Sequence, residues 1–508
     1  MSKSSGLVLV VVFLIACMII TIPVSAFTEV TENSWMSKTP MNKARWGLSV
    51  AVVNDRIYAI GGSTQKGAPP YAGGIVGTNE EYDPATDTWS FKARMPTPRY
   101  GFNMIVYQNK IYCIGGSITY GGPDTGVNEV YDPLTNTWET KASMPTPRGP
   151  SATAVYQNKI YCMGGSTYGI SGWVSVSGVN EVYDPTTDVW ETKAAMPTAK
   201  DADAVVVNSK IYLIGGGPNN TLNQVYDSAT DSWDIKAPMP TEAHGASVVV
   251  DNKIYVIGGS YSGDQYYTLN QIYDPETDRW SQGANPPSGG VKRGTAISTT
   301  GEFAPKRIYI LDKSLRVYDP KTDSWIYGAK MPTDRLNFAV AVVSDKIYAI
   351  GGNTYSYPDP MQSIGEDPVI TTYATNEQYT PFEYGTPPPV VTVISPENQT
   401  YNATSVSLVF TVNKPAVWMG YSLDGQEVIA TTGNTTLSGL ASGVHNVTVY
   451  AKDAFENMGA SETICFSTEV PFPTTLVAVA SAVSVSVVGL GVLFYFKRSR
   501  TKNNRDVS

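Results

Sequence analysis

Basic residues recur at one fixed place in this 508-residue chain. Arg45, Arg99, Arg148, Lys200 and Arg335 each stand ten residues after a tryptophan: Trp35, Trp89, Trp138, Trp190 and Trp325. Two units depart from this. One has Ala243 at that place with His244 next, and the other has Arg293 at a shifted spacing. A guanidinium offers a planar fork of donors that matches a carboxylate. A ring of such bases is therefore chemistry for capturing an acidic ligand. The same residues would serve equally if each paired with a carboxylate of a neighbouring module and stitched the modules together. Trp46, Tyr100 and Trp173 stand near the bases and break the local pattern. Their rings could stack on a sugar or a peptide. Trp46 and Tyr100 could equally pack inside, and Trp173, in a long loop, is the stronger contact.

Catalysis finds less support. The chain has two histidines, His244 and His445. No nucleophile–base pair, Cys/His metal spacing or phosphate loop stands out. No catalytic residue, metal or cofactor is therefore expected. The pairs Asn79-Glu80, Asn128-Glu129, Asn180-Glu181 and Asn376-Glu377 recur from unit to unit. Recurrence marks structure, since an active site would use a position once. Asp453 and Asn457 fall far short of a calcium ligand set.

The elements that hold the bases come from a repeat. Six times a Tyr-Asp pair precedes a Trp that lies seven residues after the Tyr: Tyr82, Tyr131, Tyr183, Tyr226, Tyr273 and Tyr318. The tryptophans, counting Trp35, are 43 to 54 residues apart, a period that marks stacked β-modules. Upstream of each Tyr an Ile-Tyr pair, from Ile57-Tyr58 to Ile347-Tyr348, reads as a strand. Six of the seven such pairs run into a Gly pair; Leu311-Asp312 replaces it in the sixth. The Asp-Pro-x-Thr-Asp segment before the Trp reads as a tight turn, and Met-Pro follows the Trp in most units, as in Met95-Pro96. Four short strands per unit result, named a to d in chain order, with the bases just before strand a.

On these residues the chain resembles the Kelch family of β-propellers over residues 30 to 385. The resemblance implies a ring of blades. Seven Ile-Tyr strands and seven repeat-type tryptophans predict seven blades, with the strand of Trp35 closing the ring on the last blade, which has no Trp of its own. Some Kelch propellers capture acidic peptides with arginines at the equivalent loop, and the likeness extends that expectation here. Galactose-oxidase-type copper chemistry needs two His in the propeller, and only His244 lies there. A metal-independent funnel enzyme on a charged sugar, of the sialic-acid mutarotase kind, stays open as the alternative, as does a purely structural envelope component.

The b-to-c loops are long and all different, whereas the a-to-b turns are short. Variation thus gathers on one face, where scaffolds keep function. Beyond the propeller, Pro387-Pro388-Pro389 makes 386–389 a stiff linker. Residues 390–469 alternate like an immunoglobulin or fibronectin III sandwich, expected to act as a stalk.

Residues 1–26 read as a secretory signal peptide, 474–496 as a transmembrane helix, and 497–508 as a basic cytoplasmic tail. The expected class is therefore all-β: a seven-bladed Kelch β-propeller, an immunoglobulin-like sandwich and one C-terminal transmembrane helix. The expected location is the cell membrane, single-pass type I, with propeller and sandwich extracellular. Net charge is −9 with a basic tail, so the remainder is more acidic still, which argues against nucleic acid. Cys113 and Cys162 occupy one strand position in neighbouring blades and read as buried free thiols. Asn219, Asn398, Asn402, Asn434 and Asn446 are glycosylation candidates. The function these features predict is a surface binding or adhesion protein whose propeller recognises an acidic protein segment or an anionic glycan through Arg45, Trp46, Arg99, Tyr100, Arg148, Trp173, Lys200, His244, Arg293 and Arg335.

Overall fold

The computed structural model describes residues 31–469 apart from 68–72, 150, 170–171, 217–220, 243–245, 260–267, 288–294, 313 and 358–367. The described part is all-β. Each repeat forms a four-stranded antiparallel sheet, and seven such sheets stand among the described residues. In sheet one the strands a to d are Ser49–Val53, Arg56–Ile60, Asn79–Asp83 and Thr88–Phe91. Sheets two to six follow the same order, beginning at Asn103, Ala152, Asp203, Ala246 and Thr295. Strands a and b are joined in six sheets by two-residue turns such as Asn54-Asp55 and Gln108-Asn109, both residues at positive φ. That turn geometry matches the twist of the strands it joins.

Sheet seven takes strands from both ends of the repeat region. Its strands are Ala339–Val343, Lys346–Ile350, Asn376–Thr380 and, as the outermost, Ser34–Lys38. Trp35 faces Tyr379 in register, the pairing that Trp and Tyr make within every other repeat. Asn33 completes the unit: its Oδ1 accepts from the Tyr379 hydroxyl (2.9 Å) and the Ala329 N–H (2.6 Å). Asp87 does the same work in sheet one, accepting from the Tyr82 hydroxyl and the Thr39 N–H.

Apolar cores lie between sheets rather than within them. Ala51, Val53 and Tyr58 of sheet one pack with Phe102, Ile111 and Tyr131 of sheet two. Equivalent clusters join each later pair of sheets, and the last joins sheet seven back to sheet one through Ala341, Tyr348, Leu48 and Ile57. Each sheet thus covers the apolar faces of two neighbours. Cys113 and Cys162 sit in these cores as free thiols, pushed up by burial to about 12 and about 11.

Residues 391–468 form a second β unit. One sheet orders Val391–Ser395, Ser405–Val412 and Thr435–Ser438. The other is centred on the long strand Gly443–Lys452, flanked by Trp418–Leu423 and Ile464–Thr468. Leu408, Phe410, Leu437, Val447, Val449 and Phe466 fill the space between. His445 bonds Asp424 (2.8 Å) and the Ala441 carbonyl, which together hold its pKa above the ordinary value.

Candidate partner-binding face

The recurring bases come first. Arg45, Arg99 and Arg148 are 0% exposed, Lys200 1% and Arg335 3%. They do not line an open mouth; they lie inside their sheets. Each arginine reaches the Glu that recurs on strand c of its own sheet. Arg45 meets Glu80 at 2.9 Å and Arg148 meets Glu181 at 2.5 Å, while Arg99 pairs with Glu129 and Arg335 with Glu377. The partner is thus a carboxylate of the same sheet, not of a neighbouring one. The second terminal nitrogen bonds a strand-b carbonyl: Arg99 Nη2 to Cys113 O and Arg335 Nη2 to Ala349 O, both 2.8 Å. The same Glu caps the chain entering the sheet, as when Glu129 accepts from the Thr97 N–H and hydroxyl. Burial pulls the Arg45 pKa down to about 10, against the pull of Glu80, which raises it.

The Gly pairs explain how these segments fit. The Arg99 carbonyl accepts from the Gly62 N–H of the preceding sheet at 3.2 Å. A Cβ on Gly61, at φ +67°, would lie 2.7 Å from that carbonyl oxygen. The glycine is needed for this approach. Arg45, Arg99 and Arg148 therefore fasten their own sheets with their side chains and the preceding sheets with their backbone carbonyls.

Sheet four replaces the pair. Gln224 stands where Glu stands in sheets one to three, and Lys200 stands for Arg. Gln224 turns to the Thr198 backbone, bonding both N–H and carbonyl. The Lys200 ammonium bonds the Leu222 carbonyl, and burial lowers its pKa to about 7. Sheet five also carries Gln at the Glu place, Gln271, bonded to the Thr241 backbone in the same way. His244 and Arg293 lie outside the described residues.

The residue just after each base sits differently. Trp46, Tyr100 and Leu336 each form an isolated bridge with the residue beyond a Gly pair: Ser63, Ser117 and Asn353. Chain direction places these bridges on the b-to-c loop side. Trp46 and Tyr100, both half-buried, meet Tyr120, with ring centroids 6.4 Å and 5.6 Å from it. Tyr120 was not among the residues singled out from the sequence, though its long loop was. It is 42% exposed and hydrogen-bonded to Ser63. Leu336, Tyr355 and Ile118 add exposed apolar surface on the same side. Trp173 lies on a strand, Gly172–Val176, of an extra hairpin on that side. A short bridge between Gly67 and Ile370 links the loops of sheets one and seven.

Other sequence candidates fall away from this face. Asn398, Asn402, Asn434 and Asn446 are exposed on the second β unit, with the Asn434 Oδ1 accepting from the Phe410 N–H. Asn219 lies outside the described residues. Asp453 is bonded by the Lys414 ammonium at 2.8 Å, which supplies the positive charge there. Among the described residues no cluster of three or more His, Cys, Asp or Glu could hold a metal ion.

Comparison with known proteins agrees with the repeat. The Kelch motif matches residues 45–96, 98–145, 147–197 and 243–287. The chain carries Kelch repeats. Similar segments occur in the influenza virus NS1A-binding protein homolog of Mus musculus, 42% identical over 79 residues. That match covers 16% of this chain and 11% of the relative. Beta-scruin of Limulus polyphemus is 32% identical over 88 residues, covering 17% of this chain and 9% of its own. Kelch-like protein 36 of Bos taurus is 31% identical over 84 residues, covering 16% and 12%. The chain thus spans only a small part of the curated relatives it matches.

The expected location is corrected. Among the described residues no helix is long and apolar enough to cross a membrane. The relatives include Kelch-like protein 36 and an F-box/kelch-repeat protein of Arabidopsis thaliana. The reading as a single-pass type I cell-membrane protein rested on segments 1–26 and 474–496, both outside the described residues.

Proposed function

We propose that this chain is a protein-binding module, in which a seven-bladed Kelch propeller of residues 30–385 takes its partner on the b-to-c loop side. A linker, 386–389, joins it to an immunoglobulin-like sandwich of residues 390–469. The observation that carries the reading is the ring cluster of Trp46, Tyr100 and Tyr120 beside exposed Leu336 and Tyr355. Aromatic rings with polar tips are what binding surfaces favour. The arginines act beneath that surface, holding the loops that present it. Selection for acidic ligands loses its groups, because Arg45, Arg99, Arg148 and Arg335 already bond carboxylates inside the chain. Apolar and aromatic side chains of a protein partner suit the surface better. The name of the mouse relative records binding of a viral protein, which supports a protein as the partner class.

The test places a photo-crosslinking residue at Tyr120, at Leu336 and, as control, at Leu134 on an outer turn, which is 93% exposed. A shared partner crosslinking from the first two sites and not from Leu134 is the expected result. Equal crosslinking from Leu134 would overturn the reading.

A further inference from the structure

Sheet six breaks the repeat in two opposite ways. Its b-to-c connection shrinks to the residues between Leu311 and Leu315, where the other sheets carry loops. Its a-to-b turn instead grows to the stretch between Ser298 and Ile308, where the other sheets need two residues. Chain direction puts that enlarged turn on the side opposite the loops, the side from which the chain leaves strand Asn376–Thr380.

The enlarged turn is built, not loose. Asp345, in the turn of sheet seven, is 2% exposed. Its carboxylate accepts from the Thr300 N–H (2.6 Å) and hydroxyl (2.9 Å), the Phe303 N–H (2.8 Å) and the Ala304 N–H (3.0 Å). Thus held, Phe303 presents its ring and its carbonyl to the departing chain. The carbonyl accepts from the Gly385 N–H at 2.5 Å, and the ring stacks on Tyr384 with centroids 6.2 Å apart. Tyr384 in turn meets Phe455 of the second β unit edge-to-face at 6.2 Å.

Arg307 clamps the other flank, bonding Asp319 (3.0 Å) within sheet six and Glu383 (2.6 Å) beyond the last strand. From the second β unit, Lys414 sits over the Phe303 ring and bonds both Asp453 and the Pro387 carbonyl. Lys414 and Asp453 are almost fully buried. Asn457 donates to the Gly385 carbonyl. The fit leaves little room: a Cβ on Gly459 would lie 1.8 Å from the Pro389 carbonyl oxygen.

We infer that the propeller and the C-terminal β unit are locked as one rigid body by this joint, and that the joint covers the turn side of sheets six and seven. A proline linker alone would set a stiffness but no fixed angle. Three packed rings, the Lys414 ammonium over Phe303 and linker bonds from both sides set the angle. Loop material has moved from the loop side of sheet six to its turn side, where the second unit needs it. A partner is thereby kept off that part of the turn side, and the loop side is presented in a constant direction. This does not depend on which partner the loop side takes.

The test measures a spin-label distance in the full chain, between exposed Cys465 and a cysteine introduced by Leu134→Cys, with Cys17→Ser so that no other thiol outside the described residues takes the label. Cys113 and Cys162 are buried and stay unlabelled. One narrow distance distribution is expected, broadening in Phe303→Ala and in Lys414→Met. A broad distribution in the unmutated joint would overturn the inference, as would a narrow one that neither substitution alters. Each variant's unfolding curve, with a wild-type melt for the main transition, ensures that broadening reports the joint and not loss of the fold.

Discussion

Sheets two and four have the same strands, the same Tyr–Trp contact and the same Ile-Tyr run, yet they are fastened differently. In sheet two a buried Arg99 meets a buried Glu129, and the charge of each is answered. In sheet four Lys200 is equally buried but meets a backbone carbonyl, and Gln224 has turned away to Thr198. A paired charge inside a protein is tolerated; an ammonium without a carboxylate resists being charged at all. The difference teaches that the repeat conserves a place for a base in the architecture while the chemistry at that place can lapse.

The largest expected effect breaks the sound version of the pair. Glu181→Ala leaves the Arg148 guanidinium buried without its carboxylate and should lower unfolding free energy by about 3–5 kcal/mol. Denaturant titration of the full chain measures it. Lys200→Met should go the other way, raising stability by about 1–3 kcal/mol at pH 6. The sign follows from the proton. Lys200 titrates at about 7 when folded and near its ordinary value, about 10.4, when unfolded. Between these pH values the unfolded chain binds the extra proton, so this residue makes stability rise with pH across that window. The Met variant should lack that rise, and stability measured at pH 6 and pH 9 shows whether it does.

Gln224→Glu sharpens the comparison by giving sheet four the carboxylate of sheet two. A gain of about 1 kcal/mol near neutral pH is expected, with the pH slope flattened because the amine now stays charged; equilibrium unfolding at several pH values reads both. The smallest change in stability belongs to the exposed face. Tyr120→Ser should stay within about 0.5 kcal/mol of the parent while partner crosslinking from Leu336 falls.

Much of this architecture was legible beforehand. The fixed Tyr-to-Trp interval, the Gly pairs and the orphan Trp35 pointed to stacked four-stranded sheets, and the strand of Trp35 does pair with that of Tyr379. The bases were legible as a set but not as buried groups. Spacing alone gives no depth, and a base just before an inner strand fits a mouth as well as an interior. The signal that decides was present: wherever Glu follows Asn on strand c of the first three repeats, Arg stands upstream, and where Gln224 or Gln271 replaces Glu, Arg is gone. A base and an acid that vary together across repeats are partners. Tyr120 was harder to see, because only folding brings its loop over Trp46 and Tyr100. The joint was hidden for the same reason. The sequence marks sheet six by Leu311-Asp312 in place of the Gly pair, whereas the structure shows its enlarged turn holding Phe303 against Tyr384.

The central claim is that the recurring arginines are internal fastenings and not ligand contacts. A double-mutant cycle across Arg99 and Glu129, using Arg99→Met and Glu129→Leu singly and together, tests it most directly. The account predicts a coupling of at least about 2 kcal/mol in unfolding free energy, with the double variant more stable than either single one. Additive effects near zero would mean that Arg99 is free for a ligand, and would contradict it.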